Sequence, residues 1–174
     1  MMQLSIRHEL PTDIKDIHAL EAEAFGRRQE ADLVDRLRAD GALWLSQVAF
    51  VDDRIVGHAA YSLIKISQNS DKWTFPALGP IAVAPANQRR GIGSALIRAG
   101  IEIVREAGFG LLFLVGHPAY YPRFGFQPAL PLGFSSDYVK PGGRHEHFMA
   151  LVLDQSLIGC VRGHMRYHRA FADT

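Results

Sequence analysis

The chain holds a single cysteine, Cys160, among its 174 residues. An intrachain disulfide is therefore impossible, and so low a count predicts a reducing compartment. Long apolar runs are also missing. A membrane-spanning helix needs roughly 20 such residues, and Leu111 to Val115 and Phe148 to Leu153 are far shorter. The opening MMQLSIRHEL places Arg7 and Glu9 where a signal peptide would be apolar. These absences predict a cytoplasmic protein with no membrane partner. Excess charge is lacking too. Nineteen basic side chains stand against 18 acidic ones, a net +1. That balance gives no general attraction to nucleic acid, so any anion site must be local. No repeat, low-complexity tract or linker divides the sequence.

What is present suits a globular chain with a sizeable core: 48% hydrophobic and 21% charged residues. Gln3 to Glu9 alternates as a strand does. Pro11-Thr12-Asp13 opens a helix with Ile14, Ile17 and Leu20 on one face, stopped by Gly26. A second helix runs from about Glu30, with Leu33, Val34 and Leu37 on one side, to Gly41. The period then changes to two. Leu43 to Val51 and Ile55 to Ile66 form a hairpin about Asp52-Asp53-Arg54. Gln68 to Lys72 connects it to the extended segment Trp73 to Val83, in which Gly79-Pro80 predicts a bulge or bend. A long helix covers 89 to about 107, and Phe109 to Val115 is a buried strand parallel to its predecessor. Strand, helix and strand make a βαβ unit. Beyond it come turn-rich sequence, a strand at Phe148 to Leu153, and an amphipathic stretch from Asp154 to Thr174. The whole predicts an α/β domain with a mixed sheet.

Chemistry concentrates where the central strand meets its helix, at APANQRRGIGSAL. Helix-opening N–H groups lack intrahelical partners, and the helix dipole favours an anion there. Gly91 and Gly93 let a phosphate approach the backbone. Gln88, Arg89 and Arg90 add donors and charge. A dinucleotide-binding turn would need a third glycine where Leu96 stands, and an acid after the next strand, which closes on Val115-Gly116. A Walker A loop would need Gly-Lys-Ser/Thr, which the chain lacks. By themselves the two glycines fit a pyrophosphate cradle or a bare helix entry.

With Val83-Ala84-Pro85 upstream and Gln88-Arg89-Arg90-Gly91-Ile92-Gly93 following, the sequence resembles the GNAT superfamily of acetyl-CoA-dependent N-acetyltransferases. That family carries Gln/Arg-x-x-Gly-x-Gly/Ala between a strand and a helix. The resemblance runs from about Leu4 to Leu153. It implies the GNAT fold, a mixed, mostly antiparallel twisted sheet with a central parallel βαβ unit and flanking helices. It assigns a catalytic domain to 1–153 and a C-terminal extension, 154–174, packed on it. It also implies that the backbone of Ile81, Ala82 and Val83 bonds the pantetheine arm of acetyl-CoA. Gln88, Arg89, Arg90, Gly91, Ile92, Gly93 and Ser94 would bind the pyrophosphate. In HPAYYPRFGF, Tyr121 stands four residues before Gly125-Phe126, the family's position for the general acid that protonates the departing thiolate. Tyr120 is its neighbour and competitor.

The implied activity is transfer of acetyl to a primary amine of a small molecule or peptide by direct attack. The alternative is a non-catalytic acyl-CoA binder or sensor. The general base stays open. Trp73 to Val83 contains no Asp or Glu, which leaves Glu21, Glu23, His117 or a water relay. Glu21 and Glu23 read as a solvated helix face. Polyamine, aminoglycoside, amino acid, peptide N-terminus and protein lysine all remain open as acceptors. Gly26-Arg27-Arg28 reads as a solvated loop, with preference for an acidic or carboxylate-bearing acceptor as the alternative. The protein is expected as a monomer or homodimer, without metal: His145 and His147 share one side of an extended segment but lack a third ligand of suitable spacing. His164 and His168 have the spacing of one helix face, among the basic residues Arg162 and Arg166. Cys160 reads as a small buried hydrophobe.

Overall fold

The structure, a computed structural model, describes residues 3–68, 71–138 and 145–173. Its strands and helices run in the order β1 (Leu4–His8), α1 (Ile14–Phe25), α2 (Gln29–Ala39), β2 (Leu43–Val51), β3 (Arg54–Gln68), β4 (Asp71–Val83), α3 (Ile92–Glu106), β5 (Leu111–Val115), β6 (Gln127–Pro128), β7 (Phe134–Ser136), β8 (Phe148–Val152) and β9 (Gly163–Met165). Seven strands are hydrogen-bonded in the order β1-β2-β3-β4-β5-β8-β6, and β7 and β9 form a separate pair. Strands β4 and β5 run parallel, through Ala77↔Phe113 and Leu78↔Leu114. The β1–β2, β2–β3, β5–β8 and β6–β8 pairs are antiparallel. The expected mixed sheet with one parallel crossover is present. The chain resolves into two compact units, one of Met1–Ser62, Gly79–Gly100 and His168–Thr174, the other of Leu63–Leu78 and Ile101–Tyr167.

In the first unit, α1 and α2 bury their apolar stripes on the β2–β3 hairpin. Ile17, Val34, Val48 and Ala60 form one cluster, with Leu43, Phe50 and Ile55 packed against it. Gly26 stops α1 because its left-handed φ of 67° is cheap only without a Cβ. The hairpin closes through Asp52 and Asp53, both at positive φ (49° and 60°), the twist that suits a two-residue turn. The start of α3 lies close on the hairpin: a Cβ at Gly57 would stand 3.0 Å from both Ile92 and Leu96. The C-terminal residues Ala170 and Phe171 pack on Leu33 and Leu37 of α2, and Arg36 donates to the Ala170 carbonyl at 3.1 Å.

The second unit is organised about Phe113 of β5, which stacks on Phe148 (5.6 Å between centroids) and meets Phe134 edge-on (5.1 Å). Val161 and Met165 join this core, and β9 runs parallel to β7 from Phe134↔Gly163 to Ser136↔Met165. The stretch after Asp154 consists of short 3-10 turns and the strand β9. His164 lies on β9 and His168 beyond it, so they share no helix face. Cys160 is exposed, not buried. His145–His147 is a 3-10 turn rather than extended chain. The preceding Pro141-Gly142-Gly143 lies outside the described residues.

Candidate acetyl-CoA and proton-transfer site

In the first unit, β4 ends at Val83, and a 3-10 turn over Pro85–Asn87 follows. The Ala84 N–H donates to the Val56 carbonyl at 2.9 Å, which anchors the strand's end to β3. Ala82 is buried, while Ile81 and Val83 are partly exposed. The helix does not begin at residue 89 as its periodicity predicts. Arg89 (φ 61°) and Gly91 (φ 83°) are left-handed, and α3 starts at Ile92. For Arg89 that conformation costs about 1 kcal/mol. The Ala95 N–H bonds the Gly91 carbonyl at 2.9 Å, which closes the first turn of the helix. A Cβ at Gly91 would meet nothing within 4 Å, so the space in front of the turn is open. Arg89 and Arg90 are exposed beside it, and Gly93 and Ser94 partly so. Gln88 also holds the turn together, donating its amide to the Val83 carbonyl at 3.1 Å. Open space, helix-opening amides and two guanidinium groups fit a pyrophosphate.

Also within this unit, a groove of about 780 Å³ borders the same turn through Ala86 and Asn87. Asp13, Asp16, Glu23, Asp52 and Asp53 line it, a charge that disfavours phosphate there. Of the residues considered as base, Glu23 is exposed as expected. Glu21 is a correction, for it is wholly buried and bonded through Oε1 to His58 Nδ1 at 2.5 Å. The loop arginines are engaged nearby: Arg27 with Glu30, and Arg28 with Asp32 at 3.6 Å.

In the second unit, Tyr121 begins a 3-10 turn that ends at left-handed Gly125. Its ring lies edge-on to Tyr120 (5.1 Å) and to Phe126 (6.0 Å). It also rests on the backbone of Gly116, where a Cβ would stand 2.2 Å from a ring carbon. Burial, with a smaller contribution from Tyr120, pushes the Tyr121 hydroxyl up to about 12. It is therefore neutral throughout the physiological range. Tyr120 lies under the Arg123 guanidinium at 4.5 Å. His117 is exposed, its Nδ1 accepting from the Ala119 N–H. Sequence reasoning missed His58 altogether, although an ionisable residue in a strand otherwise rich in apolar side chains was the available signal.

Comparison with known proteins identifies the family. The model of the acetyltransferase (GNAT) domain matches residues 5–129. The uncharacterised N-acetyltransferase YjhQ of Escherichia coli is 37% identical over 161 residues, covering 89% of this chain and 87% of that protein. The crystal structure of the E. coli GNAT family N-acetyltransferase YhbS in complex with CoA superposes with a TM-score of 0.90 at 29% identity, covering 99% of this chain and 93% of YhbS. A GNAT family acetyltransferase from Brucella melitensis, solved with acetyl-CoA, gives 0.78 at 34% identity, covering 97% of this chain and 98% of the other. A domain match across most of the chain, near-full-length relatives and the shared fold lead to one assignment: the protein is an acyltransferase of the GNAT N-acetyltransferase family.

Proposed function

We propose that this protein transfers the acetyl group of acetyl-CoA to a primary amine of a small molecule or peptide by direct attack. The turn from Gln88 to Ser94 carries the reading. The backbone is left-handed at Arg89 and Gly91, the space at Gly91 is open, and two exposed arginines flank the start of the helix. Relatives solved with CoA and acetyl-CoA support the choice of donor. When bound, acetyl-CoA supplies the thioester carbonyl that the amine attacks.

The chain's own residues divide the remaining work. The amides of residues 89 to 94, with Gln88, hold the pyrophosphate. The backbone of Ile81, Ala82 and Val83 bonds the pantetheine arm as a strand edge bonds a peptide. The Tyr121 hydroxyl gives its proton to the departing thiolate. Raised to about 12, it stays protonated at neutral pH and is available as the donor.

Paired variants test the reading. Tyr121→Phe keeps acetyl-CoA affinity by calorimetry and slows acetyl transfer to a responsive amine by roughly 100-fold or more. Gly91→Glu puts a strained carboxylate into the cradle and weakens acetyl-CoA at least tenfold. Undiminished affinity in Gly91→Glu defeats the cradle, and undiminished turnover in Tyr121→Phe defeats the acid.

A further inference from the structure

Three walls confine the Tyr121 ring within the second unit. It lies on the Gly116 backbone and edge-on to Phe126, 6.0 Å between centroids. The sheet holds both of those walls. Gly116 follows β5 and donates its N–H to the His147 carbonyl at 2.8 Å, and Phe126 precedes β6 and is buried. The third wall is Tyr120, whose ring stands at 88° to that of Tyr121 and 5.1 Å away. Tyr120 lies in no strand. It precedes a 3-10 turn of four residues, Tyr121–Phe124, and so short a turn is weakly held by its own hydrogen bonds.

Arg123 supplies what the turn lacks. Its guanidinium carbon lies over the Tyr120 ring, 4.5 Å from the centroid. Its Nε donates to the Tyr120 carbonyl at 2.9 Å. One side chain thus holds the ring and the backbone of the same residue. Phe124 adds an edge contact to Tyr120 at 5.5 Å. Among the described residues the arginine ion pairs belong to Arg7, Arg27, Arg28, Arg38, Arg105 and Arg169, so no carboxylate competes for Arg123. A planar guanidinium can stack and donate in one geometry, whereas an ammonium cannot do both.

We propose that Arg123 and Tyr120 are positioning residues for acetyl transfer. Arg123 braces the Tyr120 ring, and Tyr120 braces the Tyr121 ring at the angle from which its hydroxyl reaches the departing sulfur. The inference rests on the reading of Tyr121 as the acid. A proton passes only over hydrogen-bond distance, about 2.6–3.2 Å between heavy atoms. The phenol oxygen sits at the far end of the ring, so a small rotation about Cα–Cβ carries it out of that range. A misplacement of about 1 Å costs up to about 100-fold in rate. The third wall removes that freedom, and Arg123 keeps the wall in place.

The test is a double-mutant cycle on Tyr121 and Arg123. It uses the most responsive of four primary amines: an alkylamine, a polyamine, an amino acid and a lysine peptide. Acetyl-CoA affinity is measured beside it by calorimetry. Arg123→Ala is expected to lower kcat roughly tenfold with acetyl-CoA affinity unchanged. Arg123→Lys keeps a cation over the ring without the Nε donor and is expected to recover part of the loss. In the Tyr121→Phe background, Arg123→Ala is expected to slow transfer by less than about twofold, because the group it positions is already gone. A merely structural role would slow both backgrounds alike. Wild-type kcat in Arg123→Ala, equal losses in the two backgrounds or a loss of acetyl-CoA affinity overturns the proposal. If Arg123→Ala does not fold, Tyr120→Leu goes through the same cycle with the same expectation, since it removes the wall and leaves Arg123 in place. A wild type that acetylates none of the amines, or Tyr121→Phe as fast as wild type, defeats the acid reading and the inference with it. A slow Tyr121→Phe with equal losses in the two backgrounds defeats the inference alone.

Discussion

Tyr121 shows how one side chain's role depends on a neighbour with no side chain. Its ring occupies the space a Cβ would take at Gly116. Gly116→Ala is therefore expected to displace the ring and reproduce the Tyr121→Phe defect in acetyl transfer, with acetyl-CoA affinity unchanged. Steady-state kinetics beside calorimetry check this, and wild-type turnover in the alanine variant refutes it. The spacing of Tyr121 to Gly125 was legible in sequence, whereas its contact with Gly116 required the folded turn. Glu21 is the opposite case. Its position four residues after Ile17 places it on the buried stripe of α1, but a carboxylate there reads as solvent-facing until its partner is known. That partner, His58, lies 37 residues away, beyond any local pattern.

At the scale of elements, strands and helices followed from periodicity, and the corrections fell at their ends. Helix α3 starts later than its pattern because left-handed Arg89 and Gly91 interrupt the helical backbone. Its packing was less legible. Gly100 looks like a weak point that alanine would improve by about 1 kcal/mol in an exposed helix. Here a Cβ would stand 1.8 Å from the Tyr61 hydroxyl oxygen and 3.0 Å from Gln47 Oε1. The overlap outweighs the propensity gain. Gly100→Ala is expected to cost about 1–3 kcal/mol, a fall of about 2–4 °C in Tm for each kcal/mol in a chain of this size. Thermal melts decide it, and an unchanged or higher Tm shows that the helix has room to shift. The short strands β6, β7 and β9 had no readable signal, being two or three residues long. Pairing partners define them rather than any period of their own.

For the whole molecule, the shifted groups set a pH window. Unfolded tyrosines ionise near pH 10, whereas Tyr121 folded does so at about 12, and burial, aided by Tyr138, also raises Tyr167. Their contribution is complete below pH 10 and is lost as pH rises through the folded values. On the acid side, the Arg7 hydrogen bond holds Asp13 below its ordinary value, and hydrogen bonds from Arg38 and Ser46 outweigh burial to hold Glu9 low. That contribution is present above the unfolded carboxylate values, about 4, and is lost as pH falls further. Scanning calorimetry is expected to show Tm level from about pH 5 to 9.5 and falling on both sides. A Tm that holds at pH 11 contradicts the tyrosine assignment. The sequence by itself determined the order of the longer elements and the GNAT motif, because hydrophobic period, glycine and charge act over a few adjacent residues. Tertiary structure alone decided which polar groups lose water and whom they meet. Burial and hydrogen bonding join residues far apart in the chain, and through them Glu21 of α1 meets His58 of β3.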